Sequence, residues 1–539
     1  VATANLTSAP AQTSTSDLRR LLLAKPDRTA LVLTGLGLVL RLIGLGARPL
    51  WFDEVISAVY ARQDWPDLLR LNAGDNHPPG YYLALKLWIT LFGYDDWVVR
   101  LLSVLPGVAA IWLVWQVGRR IFPAQPGVAL IATALTAFSP FEIYFSQEAR
   151  NYSALQFLVL LATFFWLRAL AHNRWRDWLG MGLAGTLGLF CNFTTAFYLL
   201  ALGLLPLVLW KEYWRKGVLA RLVVTGAATG IASGLLLWPK LSTRLDTIKG
   251  NFWIPAPDPV IVLRTFYSFL FGVFEPGTFL LAFALVVVLL FLVAWQAGRG
   301  LFSSERPPLA LTGWLLVVPM ALLVVVSYIF QPLYLDKALI ACAPYFYLLL
   351  GWTALHNRKR GGWVLPTAPL ALAVLLGFWL LPGMYSGQTN PFYIARYDAI
   401  AANRYLNQNS QPGDLAVDVT DIGWLPLVYY NEGLAPEKLP LKEYPFPNIF
   451  PALLDQMHTA WISEDQIAHR TGRTWLIFEL NVPPGELSSA PQPFDLSQTI
   501  AWMHSPDFQA QTLQTFQSKY KVVQAVRLDR LLLVLFEPA

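Results

Sequence analysis

Charge is scarce in this chain: 14% of its 539 residues are Asp, Glu, Lys or Arg, against 55% hydrophobic. Soluble domains carry about 25% charged residues, so most of the chain is not built to face water. Cysteine is scarcer still. Cys191 and Cys342 are the two present, each inside its own apolar run. Neither a disulfide nor a Cys-based zinc site is expected, and both read as packed thiols. The sequence also has no P-loop, GxGxxG turn, HExxH helix, nucleophile elbow or CxxC pair, and so none of the soluble-enzyme signatures. No repeat, coiled coil or low-complexity tract is evident. The polar start, Val1 to Asp17, is rich in Ser, Thr and Ala and has no signal-peptide core. Residues 1–28 are expected to form a disordered cytoplasmic tail.

What the chain has is long apolar runs, and its mean hydropathy is +0.45. They fall near residues 30–46, 98–118, 127–144, 152–171, 178–191, 194–210, 222–238, 277–297, 309–330, 337–355 and 363–382. At ~1.5 Å of helical rise per residue, most are long enough for a ~30 Å hydrocarbon core. Short basic clusters separate them: Arg19, Arg20, Lys25 and Arg28; Arg119 and Arg120; Arg174 and Arg176; Lys211, Arg215 and Lys216; Arg358, Lys359 and Arg360. The positive-inside rule puts every cluster in the cytoplasm if about eleven spans alternate, with the N-terminus inside and the C-terminal part outside. The net charge of +6 therefore needs no nucleic-acid partner.

Two shorter apolar stretches, 80–92 and 264–275, have to be left out of that alternation. Counting either would put all later clusters on the wrong side. Each has the length of an interfacial or re-entrant helix. External loops are thus expected at 47–97 and 239–276, on the same face as the C-terminal part. Residues 29–384 read as the membrane domain. From about Ser386 the composition turns mixed, with a helix over 399–406 and buried strands over 415–420, 474–478 and 531–536. That pattern predicts an extracytoplasmic α/β domain over 385–539.

Ionisable groups at a membrane edge mark candidate functional sites. Asp53 and Glu54 open the first external loop, inside Trp51-Phe-Asp-Glu54. They either complement the positive end of a helix dipole or serve chemistry. Adjacent carboxylates cannot point the same way on a helix. Asp53 is then the candidate general base, and Glu54 an orienting or Arg-pairing group. His77 stands in Asn76-His-Pro-Pro-Gly-Tyr-Tyr82, where the prolines suit a helix start but leave the histidine unexplained. Glu148 and Arg150 lie in Ser146-Gln-Glu-Ala-Arg-Asn-Tyr152, as a solvated ion pair or, for Arg150, an anion contact. Lys337 follows Tyr334-Leu-Asp336 and either snorkels or meets a phosphate. The Asn251–Pro257 segment reads as an aromatic–proline lid or interface belt. With no nucleotide-binding loop, a group donor on this face is expected to be lipid-borne.

The ordered set Asp53-Glu54, His77-Pro78-Pro79-Gly80-Tyr81-Tyr82, Gln147-Glu148-Ala149-Arg150-Asn151-Tyr152, Trp253-Ile-Pro and Tyr334…Lys337 resembles the GT-C glycosyltransferases that use a polyprenyl-phosphate sugar. The likeness is greatest to the protein O-mannosyltransferase (glycosyltransferase family 39) and lipid A aminoarabinose transferase branch, and it runs over residues 30–382. The resemblance implies a polytopic α-helical membrane enzyme carrying out an inverting, in-line transfer to an acceptor hydroxyl, in the bacterial plasma (inner) membrane. Asp53 would be the base, with Glu54 and Glu148 completing the catalytic set. His77, Arg150, Tyr152, Lys337 and Tyr82 would bind the lipid phosphate and substrate. The position after Asn76 is Lys in the aminoarabinose branch, and the late basic position is often Arg, so His77 and Lys337 depart from the pattern. Asn192, where relatives often carry His or Tyr, is assigned polar contact only. Some relatives need a divalent metal such as Mg or Mn; if one binds, Asp53, Glu148 and His77 would hold it. The expected partners are the polyprenyl-phosphate sugar (undecaprenyl phosphate being the bacterial carrier), membrane lipids, and an acceptor protein, glycolipid or polysaccharide.

Two other readings compete. A lipid-linked-sugar flippase or transporter would place polar or broken helices at the bilayer midplane. A non-catalytic membrane scaffold would tolerate loss of Asp53, His77 and Glu148 together.

Overall fold

The computed structural model describes residues 25–208, 217–244, 254, 256–272, 279–302, 306–356, 364–386 and 398–419, and most of 423–431, 472–480, 488–498 and 506–538, with a few positions between. The Val1–Asp17 tail and the basic clusters at 19–20, 211–216 and 358–360 lie outside these residues.

Helices occupy every apolar run. In chain order they are α1 Pro26–Leu42, α2 Phe52–Arg62, α3 Trp65–Ala73, α4 Gly80–Phe92, α5 Asp96–Ile121, α6 Pro126–Phe138, α7 Pro140–Gln147, α8 Tyr152–His172, α9 Trp175–Cys191, α10 Thr195–Val208, α11 Val218–Arg244, α12 Pro259–Phe271, α13 Phe279–Gly300 and α14 Arg306–Ile329. A 3₁₀ turn, Asp336–Cys342, leads into α15 Ala343–His356, and α16 Val364–Ser386 follows. Among the described residues, seven helices are long and apolar enough to cross a membrane, or eight if the bent pair α6–α7 is one span. The runs at α1, α9 and α10 are shorter, at 17, 17 and 14 residues. The two excluded stretches form the 13-residue helices α4 and α12. In the second, the helix starts at Pro259, five residues before the predicted 264, because Asp258 caps it by accepting from the Ile261 amide at 2.7 Å.

The α6–α7 pair bends by 52° at Ser139–Pro140. Pro140 has no amide hydrogen, and the residue before a proline is pushed to extended backbone, here φ −61°, ψ 129° at Ser139. The break leaves carbonyls of α6 without helical partners. Arg41, fully buried at the end of α1, donates to Thr136 O at 3.0 Å and Ala137 O at 3.0 Å. A buried arginine and a broken helix therefore occur inside the bundle. The arginine satisfies the backbone the break exposes, as membrane burial requires.

Beyond the bundle lie α17 Ala399–Asn409, α18 Trp424–Tyr429, α19 Pro506–Lys519 and a mixed six-stranded sheet. Its strands are β1 Leu415–Asp418, β2 Glu437–Lys438, β3 Thr474–Glu479, β4 Gln492–Pro493, β5 Tyr520–Leu528 and β6 Leu531–Pro538, in the order β2-β1-β3-β6-β5-β4. β1 and β3 are parallel, while β3–β6 and the β5–β6 hairpin are antiparallel. β1 and β3 are buried along their lengths and β6 over its first six residues, which is why they read as continuous apolar runs. β5 alternates half-buried and exposed positions at its start, is buried only over its last three residues, and carries Lys521, Gln524 and Arg527. It gave no apolar run to find.

This C-terminal unit returns to the first loop. Trp424, Leu425 and Val428 of α18 pack in one core with Val55, Ile56 and Val59 of α2. The Tyr430 hydroxyl donates to Asp96 Oδ2 at 2.6 Å and accepts from the Leu50 amide at 2.7 Å.

Candidate active site

The site begins with how α2 starts. Trp51 caps the helix in extended conformation, and Glu54, three residues on, accepts its amide at 3.2 Å. This is the return half of a capping box, since an indole cannot accept from the Glu54 amide. Glu54 is fully buried and also accepts two hydrogen bonds from Arg100 of α5, at 2.8 and 2.7 Å, and one from the Ala149 amide at 2.9 Å. Arg100 spends its remaining donors on the carbonyls of Leu45, Arg48 and Pro49. Glu54 is thus an Arg-pairing group tying α2, α5 and the segment before α8 together. It does not line the cavity. Arg100 escaped sequence reasoning, though a lone arginine within an apolar run was the available signal.

One residue earlier on the helix, the side chain leaves in a different direction. Asp53 faces a cavity of about 330 Å3 that His77, Arg150, Tyr152, Asn192 and Lys337 also line. Its Oδ2 lies 3.9 Å from Arg150 Nε and 3.8 Å from Lys337 Nζ. Arg150 also donates to Asp53 O at 3.3 Å and to the Tyr82 hydroxyl at 3.1 Å. Lys337 Nζ stands 5.1 Å from the centre of the Tyr152 ring. Residues from α2, the loop before α4, the loop before α8, and the 3₁₀ turn therefore converge at one place. Asn192, Phe193 and Thr194, from the turn between α9 and α10, close another wall. Of the Trp253-Ile-Pro motif, Ile254 lines the cavity, and its neighbours fall outside the described residues. Tyr334 is buried and bonds Thr265 at 2.8 Å instead.

The loop before α4 holds a residue the sequence did not single out. Asp75 Oδ1 accepts from the His77 amide at 2.8 Å and lies 3.1 Å from His77 Nδ1, while its Oδ2 accepts from the Tyr82 hydroxyl at 3.1 Å. Burial alone would raise the Asp75 carboxyl. The hydrogen bond and charge of His77, with Arg150 and Lys240, outweigh it and hold Asp75 well below the usual carboxylate range. His77 moves down from its ordinary value, first through burial and then through the Arg150 charge, with Asp75 opposing. Tyr82 joins Asp75 to Arg150 from behind, and does not line the cavity.

Glu148 is buried at 1% exposure and does not line the cavity. Its carbonyl accepts from the Arg150 amide at 2.7 Å, so it shapes the turn that presents Arg150. The metal set anticipated from the resemblance is not assembled. Among the described residues, no three His, Cys, Asp or Glu groups stand together as a metal site. Asp53 faces two cationic side chains, and His77 faces Asp75 and Arg150.

Residues 76–238 match the family described as Dolichyl-phosphate-mannose-protein mannosyltransferase. The solved structure of ArnT from Cupriavidus metallidurans in the apo state superposes with a TM-score of 0.57, at 14% identity, covering 94% of this chain and 97% of that one. The fold is GT-C. The same ArnT bound to undecaprenyl phosphate superposes at a TM-score of 0.55, also at 14% identity, with the same coverage of both chains. The chain thus shares its fold with ArnT, has among the described residues seven or eight helices long and apolar enough to cross a membrane, and gathers the motif residues Asp53, His77, Arg150, Tyr152 and Lys337 in one cavity.

Proposed function

We propose that this protein is an inverting glycosyltransferase that moves a sugar from a polyprenyl-phosphate carrier to an acceptor hydroxyl at the extracytoplasmic face. The observation that carries the reading is Asp53, a part-exposed carboxylate in the cavity with two cationic side chains within 4 Å of the same oxygen. A cation pair is what a phosphate leaving group needs as negative charge develops on it. A neighbouring carboxylate is what an incoming hydroxyl needs as a base. ArnT, which shares the fold, is known bound to undecaprenyl phosphate, and this supports a polyprenyl phosphate here.

The chemistry follows from the charges. An anionic phosphodiester entering the cavity competes with Asp53 for Arg150 and Lys337. As they turn to the phosphate, Asp53 is left to accept the proton of the acceptor hydroxyl. The acceptor oxygen attacks the anomeric carbon while the carbon–oxygen bond to phosphate breaks, and the electron pair leaves with the phosphate. In-line displacement inverts the anomeric centre. The membrane orientation, with the N-terminus cytoplasmic and the C-terminal domain outside in a plasma membrane, belongs to the same reading. Glu54 and Glu148 serve as positioning groups in it.

The test is turnover of a polyprenyl-phosphate-sugar panel by protein in nanodiscs, with cell-envelope extract as acceptor, wild type beside Asp53→Asn. Sugar transfer with inverted anomeric configuration, slowed at least about a hundredfold in the variant while lipid binding persists, is expected. Transfer with retention, or undiminished transfer by Asp53→Asn, would overturn the assignment.

A further inference from the structure

Lys337 leaves the backbone at the start of the 3₁₀ turn, where an amide has no helical acceptor. The Asp336 side chain supplies one, accepting from the Lys337 amide on Oδ1 at 2.9 Å. Its other oxygen, Oδ2, accepts from the Ser268 hydroxyl of α12 at 2.6 Å. One turn earlier on the same face of α12, the Thr265 hydroxyl meets the Tyr334 hydroxyl at 2.8 Å. Both α12 side chains are buried, and both engage the four residues that end at Lys337. The helix is in turn tied to the α6–α7 break, where Ser139 donates to Phe269 O at 2.8 Å. With 13 residues, α12 is too short to cross the membrane. It lies as a splint along the segment that presents Lys337.

We infer that Asp336 is a positioning residue: clamped by Ser268, it fixes the backbone from which Lys337 reaches the cavity, and so aims the ammonium at the lipid phosphate. The inference rests on the reading of Lys337 as a phosphate contact given above. A lysine side chain is a flexible stem with a point charge at its tip, so its reach is confined only where its backbone is held. Here the stem is confined at both ends. Its Nζ lies 3.8 Å from Asp53 Oδ2 and 5.1 Å from the Tyr152 ring centre, while Asp336 holds its amide. Further along the turn, the Ala338 carbonyl accepts from Tyr198 of α10 at 2.9 Å, and the Ile340 carbonyl from Gln156 of α8 at 3.1 Å. Asp336 itself does not line the cavity, and each of its carboxylate oxygens already accepts a hydrogen bond. Its role is therefore geometric. An asparagine there could make the same two bonds, its oxygen accepting from the Lys337 amide and its nitrogen donating to the Ser268 oxygen.

The experiment is equilibrium binding of undecaprenyl phosphate to the full protein in nanodiscs, with single and double variants compared at one pH. Lys337→Met should weaken binding about ten- to hundredfold, the loss of one charge-assisted hydrogen bond. Asp336→Ala should approach that loss, and Ser268→Ala should show a smaller part of it. Asp336→Asn should bind nearly as wild type does, a rescue that a role through charge would not allow. On the Lys337→Met background, Asp336→Ala should add nothing, because a residue that acts through Lys337 then has nothing to position. Should thermal unfolding show that Asp336→Ala does not fold, Ser268→Ala runs the same cycle. Equal losses with and without Lys337, or Asp336→Asn binding as weakly as Asp336→Ala, would overturn the positioning role while leaving the phosphate site standing. Undiminished binding by Lys337→Met, or no binding by wild type, would overturn the phosphate contact and the inference with it.

Discussion

Arg100 grips Glu54 with two near-parallel hydrogen bonds, 2.8 and 2.7 Å long, although neither side chain lines the cavity and 46 positions separate them. The pair fixes the first turn of α2, and with it the direction of Asp53. Breaking such a buried pair from one side costs about 3–5 kcal/mol. Arg100→Met is therefore expected to lower the unfolding temperature in detergent sharply and to reduce turnover with it. Asp53→Asn should leave that temperature nearly unchanged. Equal unfolding temperatures for Arg100→Met and wild type would remove the structural role.

Asp53→Asn should cut transfer by about 10² to 10⁴, the usual contribution of a general base. Donor binding should survive or tighten, because the variant no longer competes with phosphate for Arg150 and Lys337. Single-turnover kinetics beside an equilibrium binding assay separates the two effects. Weakened binding with undiminished chemistry would place Asp53 in donor recognition.

Arg150→Lys keeps a charge but cannot reach Asp53 O, the Tyr82 hydroxyl and His77 at once. Losing one charge-assisted hydrogen bond costs about 1.5–3 kcal/mol, roughly ten- to hundredfold in affinity. The donor KM should rise by that factor, with a smaller fall in kcat. A wild-type KM would show that charge alone suffices there.

Gly80 starts α4 where a Cβ would meet the Phe190 carbonyl oxygen at 2.5 Å. Backbone cannot give way as a side-chain tip can, so Gly80→Ala should push the Pro78–Pro79 corner and His77 away from α9. Lower thermal stability and weaker donor binding are expected together. Gly203→Ala, where nothing lies within 4 Å, is the control. There the helix should gain up to about 1 kcal/mol.

The sequence carried the spans, because an apolar run reports its environment without needing a partner. It carried the order of the cavity motifs for a similar reason: an ionisable residue leaving a span is conspicuous locally. Asp75, Arg100 and Tyr430 were not visible in that way. Asp75 reads as an ordinary turn residue until Tyr82 and Arg150 are brought against it. Arg100 is one charge in a long run, and its partner is fixed only by how α2 and α5 cross. The adjacent carboxylates Asp53 and Glu54 could be given different tasks by helix geometry, but which Arg each meets is a tertiary fact. In the C-terminal part, β5 was missed because a half-buried strand with charged positions has no hydrophobic run, and the pattern predicted over 415–420 ends as a strand at Asp418.

Removing the Tyr430 hydroxyl should loosen the first loop. Tyr430→Phe loses the bond to Asp96 and leaves the buried Leu50 amide unpaired. The cost should be about 1–3 kcal/mol. Limited proteolysis within residues 47–97 should speed up relative to cuts elsewhere. Unchanged cleavage would show that the apolar contacts of α18 hold the loop by themselves.

That same tyrosine sets a timetable. The helix bearing Asp53 is synthesised well before its clasp, because the hydroxyl that holds the Leu50 amide arrives 380 residues later. At about 5–20 residues per second, the ribosome needs tens of seconds to cover that distance. Through this interval the nascent loop is threaded into place without its clasp. The finished loop must await the folding of the C-terminal unit, so a chain truncated before Tyr430 would carry every cavity side chain and still lack the bond to the Leu50 amide at the start of their loop.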